Sequence, residues 1–215
     1  MNTNLNHFII SRVQINYSHQ PVAVFLLGAN GSGKSSLRSY LNLADVQSNI
    51  DPDSLNRIAK YSHKDNHFIF ASKQAIRLFA NALNNNLNVC MESTLSGKSA
   101  MHRISLAKSK GYYVIAYFVG LSDVNTNIER VRQRVAAGGH DIERNLIIRR
   151  YQKSIDNLLT CYQFIDELHV IDNSKSYYEL QFSKYRAQIV KYDLMSNWAK
   201  NIYAEIGETS MPTRQ

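Results

Sequence analysis

The sequence predicts an α/β fold in which a mainly parallel five-stranded sheet carries helices on both faces and is followed by a C-terminal hairpin. Short apolar runs alternate with longer amphipathic segments, which is the pattern of βαβ units around a covered parallel sheet. The 215 residues, 44% of them hydrophobic, are enough for one buried core but few for two. The alternation stops after Asp172. We therefore expect a single domain over residues 1–215, with its core at about 20–172 and a hairpin and helix at about 177–206.

Five apolar runs have the length and composition of buried strands. The first follows Pro21 and reads "VAVFLL", without the polar interruptions that a half-exposed strand would show. The predicted strands are 22–27, 47–50, 88–92, 113–119 and 167–171.

Helices are predicted between these strands, at 34–43, 52–61, 68–83, 98–110, 124–137 and 142–160. The third of them, "FIFASKQAIRLFANAL", carries a stripe with helical spacing that we expect to form its buried face, namely Phe68, Ser72, Ile76, Phe79 and Leu83. The segment "YYELQFSKYRAQIVKYD" predicts the two-stranded hairpin, and a short helix is expected around Trp198.

Charge and composition narrow the class of protein. Lys and Arg number 25 against 17 acidic residues, a net charge of +8 that favours nucleic acids, anionic lipids or phosphorylated small molecules as partners. Cys90 and Cys161 have apolar residues near them in the sequence, which predicts buried thiols in a reducing compartment. No apolar run approaches the roughly 20 residues that cross a bilayer, and the polar start "MNTNLNH" is unlike a signal peptide. We expect a soluble, cytoplasmic protein without a membrane partner.

The stretch "GANGSGKSS" lies between the first predicted strand and a helix. It fits G-x-x-x-x-G-K-[ST], the pattern of a nucleotide-binding phosphate loop in the context that the pattern requires. In such a loop the backbone N–H groups point at the phosphates, the lysine reaches the β- and γ-phosphates and the hydroxyl coordinates Mg²⁺. Lys34 is therefore expected to bind ATP and to act in catalysis, and Ser35 to hold Mg²⁺. The expected ATP-binding residues of the loop are Gly28, Ala29, Asn30, Gly31, Ser32, Gly33, Lys34, Ser35 and Ser36.

Two carboxylates follow the short second strand, in "NIDPDS". This position is the carboxyl edge of the sheet, where ligands bind in open α/β folds. Asp51 precedes Pro52 and is well placed to cap the next helix. Asp53 is the better candidate for the base that accepts the proton of an attacking hydroxyl, although it could also serve only the helix dipole.

Glu92, Ser93 and Thr94 follow the third strand and are expected at the same edge. A carboxylate with two hydroxyls there could bind a polyhydroxylated acceptor. The alternative is that Glu92 caps the helix that begins near Lys98.

The segment "NIERVRQRVAAGGHDIERNLIIRR" concentrates the positive charge. Arg130 and Arg134 are four residues apart and so share one face of a helix. The double glycine at 138–139 then interrupts the helical pattern, which predicts a lid that brings arginines onto the phosphates of ATP. The alternative is a solvated basic helix face. Arg130 is the expected catalytic arginine; the second lid arginine is one of Arg134, Arg144, Arg149 and Arg150, and ATP contacts are expected from Arg134, Arg149 and Arg150.

Several nucleotide-binding classes fit the sequence poorly. The Asn-Lys-x-Asp segment with which GTP-binding switches read guanine does not occur. Nucleic acid is not the expected partner, because aromatics are not interleaved with the arginines as a single-strand platform requires. What fits is a kinase that transfers the γ-phosphate of ATP to a hydroxyl of a small phosphorylated molecule, which we expect between Asp53 and the "ESTLSG" loop. The alternatives are an antibiotic hydroxyl kinase, a polynucleotide end kinase, or a nucleotide-binding regulator without catalysis.

With these motifs, residues 20–172 resemble the zeta-toxin family of P-loop kinases. The resemblance rests on "LLGANGSGKSSLRS", "IDPDS", "MESTLSG", "NIER" and "GGHDI…IIRRY". It implies Mg²⁺-dependent transfer of phosphate from ATP to a nucleotide sugar, UDP-N-acetylglucosamine in the best-known members, and a protein antitoxin as partner. It also implies Asp53 as general base, Glu92 and Thr94 as acceptor-binding residues and Arg130 as neutralising charge. The chain departs from the toxin pattern at two substrate-side positions, Gln74 and Ser96.

Overall fold

A computed structural model describes residues 20–62, 66–192 and 194–210. The described strands form one seven-stranded sheet in the order β2-β3-β1-β4-β5-β6-β7. Strands β1 to β5 are parallel, and β6 and β7 are antiparallel additions beside β5. The carboxyl ends of the parallel strands therefore meet at one edge.

The strands are β1 (Val22–Leu27), β2 (Ser48–Ile50), β3 (Val89–Ser93), β4 (Tyr113–Gly120), β5 (Glu167–Asp172), β6 (Glu179–Tyr185) and β7 (Gln188–Lys191). The helices are α1 (Lys34–Arg38), α2 (Pro52–Ser62), α3 (His67–Asn84), α4 (Lys98–Ser109), α5 (Val124–Ala136), α6 (Arg144–Cys161) and α7 (Asn197–Ser210). A short 3₁₀ turn, Tyr162–Phe164, follows α6.

The five predicted parallel strands are confirmed to within one residue at either end. The predicted strand count is wrong, because the C-terminal hairpin is part of the sheet and not an appendage to it. Pairing with β6 satisfies the N–H and C=O groups that β5 would otherwise expose at a sheet edge. Phe182 and Ser183 of β6 are fully buried as a result.

Two helix predictions also need correction. The first helix ends at Arg38 and not at residue 43, because the chain continues in i→i+3 turns to Leu41 and Ser39 donates its hydroxyl to the carbonyl of Ser36. In α3 the predicted buried face is rotated. Its buried residues are Ala71, Ala75, Phe79, Ala82 and Leu83, whereas Phe68, Ser72 and Ile76 are exposed. Because alanine side chains are small, α3 packs close to the sheet through this face. A face of larger residues would hold the helix farther away.

The core lies on both sides of the sheet. On one side, Phe25 of β1 packs with Phe79 of α3 and with residues of α4, α6 and α7. On the other, Val24 and its neighbours pack with Leu37 of α1 and the turn that follows it. Helix α7 is tied down by Trp198, whose indole N–H donates to Asp172 at 2.8 Å. The sheet that carries the phosphate loop is therefore covered by packed side chains on both faces.

Cys90 and Cys161 are buried free thiols, as predicted. Burial raises the pKa of each thiol to about 12. None of the described helices is both long and apolar enough to cross a membrane.

Candidate active site

A cleft of about 620 Å³ opens at the carboxyl edge of the parallel strands. It lies between the phosphate loop, the start of α2, the end of β3 and the arginines of α5 and α6. Its lining residues are Asn30, Gly31, Gly33, Lys34, Ser35, Ser36, Asp51, Pro52, Asp53, Ser72, Glu92, Ser93, Thr94, Ser99, Arg130, Arg134, Arg150 and Asn173. The site motifs found in the sequence thus converge on one cavity.

The loop Gly28 to Ser36 wraps between β1 and α1. Gly28 and Gly33 have φ angles of 134° and 102°, which side chains with a Cβ rarely adopt. A Cβ on Gly28 would lie 2.1 Å from the carbonyl oxygen of Val119, and one on Gly33 would lie 2.2 Å from the amide nitrogen of Asn173. Gly28, Ala29 and Ser32 are buried and are not among the residues that line the cleft, whereas Asn30, Gly31 and Gly33 to Ser36 line it.

Three residues outside the loop hold its carbonyl groups. Asn127 of α5 donates to the carbonyl of Asn30 at 2.7 Å, and Asn173, just after β5, donates to that of Ser32 at 2.8 Å. The hydroxyl of Tyr178 donates to the carbonyl of Gly33 at 2.8 Å. These three side chains tie the loop to α5 and to the segment after β5, and within the loop the N–H of Ser32 donates to the carbonyl of Ala29 at 3.2 Å. None of these three was predicted, although Asn173 could have been found by its position after a parallel strand.

Lys34 reaches back over the loop, and its ammonium group donates to the carbonyl oxygen of Ala29 at 2.9 Å. Burial lowers the pKa of Lys34 to about 8, against the opposing effect of Glu92, Asp53 and Asp51. All three carboxylates belong to residues that line the same cleft as Lys34.

Glu92 is 5% exposed and lies next to the loop. The hydroxyl of Ser35 donates to its carboxylate at 2.8 Å, and the guanidinium of Arg38 lies 3.5 Å from the other carboxylate oxygen. Glu92 thus does not cap α4, the alternative considered above. Its position is that of a carboxylate beside the hydroxyl expected to bind Mg²⁺. Ser93 and Thr94 line the cleft beyond it, and Thr94 shares a hydrogen bond with Ser96 at 2.8 Å.

The two aspartates after β2 are used differently. The carboxylate of Asp51 accepts the N–H of Asp53 at 3.0 Å, so Asp51 caps α2, as the sequence suggested. The carboxylate of Asp53 is 65% exposed in the cleft, and the guanidinium of Arg134 lies 3.9 Å from it. Asp53 is therefore the carboxylate free to meet a ligand.

Only some of the arginines that were predicted to bind ATP line the cleft. Arg130 donates to the carbonyl of Asn173 at 2.8 Å, and Arg150 donates to the side chain of Asn30 at 2.9 Å. Arg130, Arg134 and Arg150 line the cleft. Arg144 and Arg149 are exposed and are not among the lining residues.

The double glycine at 138–139 lies in the connection between α5 and α6, which is where the lid hypothesis expects it. A Cβ on Gly139 would lie 2.6 Å from the side chain of Arg134, so the chain folds back on that arginine. The His140 ring lies 5.5 Å from that of Phe68 on α3, which brings this connection against the opposite wall. Helix α5 itself is packed on the loop through Asn127, which has no exposed surface. Lid motion stays a prediction.

One family model and one sequence relative match this chain. The family model described as "Zeta toxin" matches residues 10–193. An uncharacterised protein of Haemophilus influenzae is 39% identical over 132 residues, which are 61% of this chain and 94% of that protein.

Solved structures share the fold at low identity. The AvrRxo1-ORF1:-ORF2 complex, solved with ATP, has a TM-score of 0.62 at 15% identity, covering 91% of this chain and 66% of that one. The matching chain from the PezAT chromosomal toxin–antitoxin system of Streptococcus pneumoniae has a TM-score of 0.56 at 17% identity, covering 90% and 86%. A chain of the Pnkp1/Rnl/Hen1 RNA repair complex has a TM-score of 0.52 at 18% identity, covering 66% and 47%. This chain thus spans slightly less than two thirds of the AvrRxo1 chain that it matches.

Proposed function

Since this chain belongs to the zeta-toxin family, we propose that it is an ATP-dependent kinase that transfers the γ-phosphate to a hydroxyl of a small molecule. One observation carries the proposal. Lys34 of the phosphate loop, the carboxylate of Asp53 and the guanidinium groups of Arg130, Arg134 and Arg150 line the same cleft of about 620 Å³. Phosphoryl transfer needs mainly positioning and charge neutralisation, and these are the groups that provide them.

The nucleotide is expected in the half of the cleft formed by the phosphate loop. The backbone N–H groups of the loop residues that line the cleft, Asn30, Gly31 and Gly33 to Ser36, and the ammonium of Lys34 would bind the phosphates. Arg150 and Arg130 are tied to Asn30 and Asn173 beside the loop, where they can reach the same phosphates. AvrRxo1, a protein of the same fold, has been solved with ATP, which supports this choice of nucleotide.

Ser35 and Glu92 are suited to a magnesium ion. Mg²⁺ prefers oxygen ligands and is usually held by one or two protein groups together with the nucleotide phosphates. A hydroxyl and a carboxylate 2.8 Å apart at the loop provide two such oxygens. When bound, the ion would neutralise charge on the phosphates. Glu92 is assigned here to the metal side of the cleft, whereas the resemblance implied an acceptor contact.

Asp53 is the proposed general base. Its carboxylate would accept the proton of the acceptor hydroxyl while that oxygen bonds to the γ-phosphorus and the bond from phosphorus to the ADP oxygen breaks. The guanidinium of Arg134 lies 3.9 Å from this carboxylate and favours its charged form, which is the form that accepts a proton. Arg130 would neutralise the negative charge that accumulates on the transferring group.

A protein antitoxin is proposed as partner on the ground of the structural neighbours alone. PezAT is a toxin–antitoxin system, and AvrRxo1-ORF1 was solved in complex with ORF2. The acceptor implied by the family resemblance is a nucleotide sugar such as UDP-N-acetylglucosamine.

The test is incubation with ATP and Mg²⁺ and a panel of sugars, UDP-sugars, nucleosides and oligonucleotide ends, with mass spectrometry for a product heavier by one phosphate. We expect one class of small hydroxyl compound to be phosphorylated, and the Lys34→Ala variant to lose this activity. Phosphorylation of the oligonucleotide ends alone would favour a polynucleotide kinase. ATP binding without transfer to any compound would contradict the proposal and favour a regulator.

A further inference from the structure

A second, much smaller cavity of about 10 Å³ lies next to the phosphate loop. In the part of the chain that the structure describes, no residue lines both this cavity and the cleft. The loop contributes Ala29 and Ser32, α5 contributes Asn127, and the remaining walls come from the end of β4, from α6 and from the ring of Trp198. The small cavity therefore lies between the loop and the two helices that carry the arginines of the cleft. A space of this size has room for one water molecule.

Two buried polar atoms belong to residues that line this cavity, the hydroxyl oxygen of Ser32 and the amide oxygen of Asn127. Ser32 is 1% exposed and Asn127 is 0% exposed, and neither atom has a hydrogen-bond partner among the residues that the structure describes. Buried polar atoms in folded proteins are nearly always hydrogen-bonded, either to the protein or to an ordered water. Two exceptions at one cavity indicate a ligand that serves both.

The orientation of the Asn127 amide is fixed by the loop. Its nitrogen donates to the carbonyl of Asn30 at 2.7 Å, and a carbonyl oxygen can only accept a hydrogen bond. Turning the amide over would place two acceptors against each other and would take the donor away from Asn30. The oxygen of Asn127 therefore stays on the other side of the amide, where it needs a donor.

The hydroxyl of Ser32 is the polar group of that residue that still needs a partner. The N–H of Ser32 donates to the carbonyl of Ala29 at 3.2 Å, and its carbonyl accepts from Asn173 at 2.8 Å. A third group at the cavity can take part, because the hydroxyl of Tyr151 donates to the carbonyl of Leu121 at 2.6 Å and its oxygen keeps a lone pair.

The ligand that suits these groups is small and neutral. No Asp or Glu within residues 20–62, 66–192 and 194–210 lines the cavity, so no carboxylate there would balance the charge of a cation. The oxygen of Asn127 requires a donor, which an anion does not provide. A water molecule can donate to Asn127 and accept from Ser32, and buried waters typically make about three hydrogen bonds.

We propose that one water molecule binds in this cavity between Ser32 and Asn127 and joins the phosphate loop to α5. With Tyr151 as its third partner, the water also reaches α6. The position of the loop relative to the helices that carry Arg130 and Arg150 then depends on this water as well as on the direct bond from Asn127 to Asn30. The proposal rests on the geometry of the cavity and is independent of the proposed kinase function.

A high-resolution crystal structure of the nucleotide-free protein tests the site directly. We expect an ordered water at about 2.5 to 3.0 Å from both the hydroxyl oxygen of Ser32 and the amide oxygen of Asn127. A direct bond between these two side chains would overturn the proposal. So would a cavity without density in a map that shows other buried waters, or a metal cation at shorter distances from the same oxygens.

A double-mutant cycle tests whether the water couples the two side chains in solution. Ser32→Ala removes one partner of the water and should lower the urea midpoint of unfolding. In the Asn127→Leu background, methyl groups of similar shape occupy the position of the amide, so the water has lost its acceptor and Ser32→Ala should shift the midpoint less. The lost bond to Asn30 is common to both chains with Leu at this position and cancels in the cycle.

The control for the cycle is Ser39→Ala. It removes an exposed hydroxyl that donates to the carbonyl of Ser36, and its shift should be the same in both backgrounds. An equal shift from Ser32→Ala in both backgrounds, zero included, would show that the two side chains share no ligand and would overturn the proposal.

Discussion

The hydroxyl of Ser35 donates a 2.8 Å hydrogen bond to the carboxylate of Glu92, which joins the phosphate loop to the end of β3. The neighbouring strands β1 and β3 bring the two residues together, since Leu27 and Ser93 are partners in their register. Arg38, one turn along α1, contacts the same carboxylate at 3.5 Å. The hydroxyl expected to bind Mg²⁺ is therefore oriented by a buried acidic side chain.

Glu92→Gln should weaken the contribution of Mg²⁺ to ATP binding. The amide keeps the shape of the side chain but removes the negative charge that attracts a divalent cation. Calorimetric titration of ATP with and without Mg²⁺ should show that the gain in affinity from the metal falls about 10-fold, a typical effect of losing a metal-site partner. Glu129→Gln on α5, which removes a half-exposed carboxylate outside the cleft lining, is the control. An undiminished metal effect in Glu92→Gln would remove Glu92 from the metal site.

ATP affinity should depend on pH through Lys34. Its pKa in the free protein is lowered to about 8 by burial, and the phosphates of bound ATP favour the charged ammonium. Binding is therefore strongest below pH 8 and weakens as pH rises above it, by up to about 10-fold per pH unit. Titrations at pH 8.5 in two buffers of different ionisation enthalpy should reveal proton uptake on binding. The Lys34→Met variant should show none. A dissociation constant that is constant from pH 7 to 9.5 would contradict this role.

The arginines at 149 and 150 provide a matched pair. Arg150→Ala should raise the KM for ATP about 10-fold or more, because its guanidinium lines the cleft and is bonded to Asn30. Arg149→Ala removes the same charge from an exposed neighbour outside the cleft lining and should change kinetics little. Steady-state rates at varied ATP make the comparison. Equal effects of the two substitutions on the KM for ATP would mean that the overall positive charge, and not the position of Arg150 in the cleft, determines how ATP binds.

Arg130→Ala should lower kcat by about 10³-fold or more with a smaller change in KM, the pattern of an arginine that acts in the transition state. Its matched control is Arg132→Ala, since Arg132 is exposed and paired with Glu129 on the outer face of the same helix. An effect confined to KM would make Arg130 a binding residue.

The sequence predicted the sheet core and the location of the site because both depend on local signals. Continuous apolar runs define the strands, and the loop motif has a fixed spacing. The rotation of α3 could not be predicted, because it depends on how closely Ala71 and Ala75 approach the sheet, and large residues such as Phe68 dominate a hydrophobic stripe.

Contacts between residues that are far apart in the sequence could not be predicted either. Asn127 and Asn30 are separated by 97 residues, and the bond between them is set by how α5 docks on the loop. Arg149 and Arg150 are indistinguishable in sequence, since only the phase of α6 decides which of them faces the cleft.

Asp53 gives the most direct test of the proposed mechanism. Asp53→Asn keeps the size of the side chain but removes the proton acceptor, whereas Asp51→Asn retains an oxygen that can cap α2. We would measure single-turnover transfer to the identified acceptor, together with ATP affinity, for both variants. The account predicts that Asp53→Asn binds ATP normally and transfers phosphate on the order of 10² to 10⁴-fold more slowly, with Asp51→Asn near the parental rate. Transfer by Asp53→Asn at the parental rate would contradict the account.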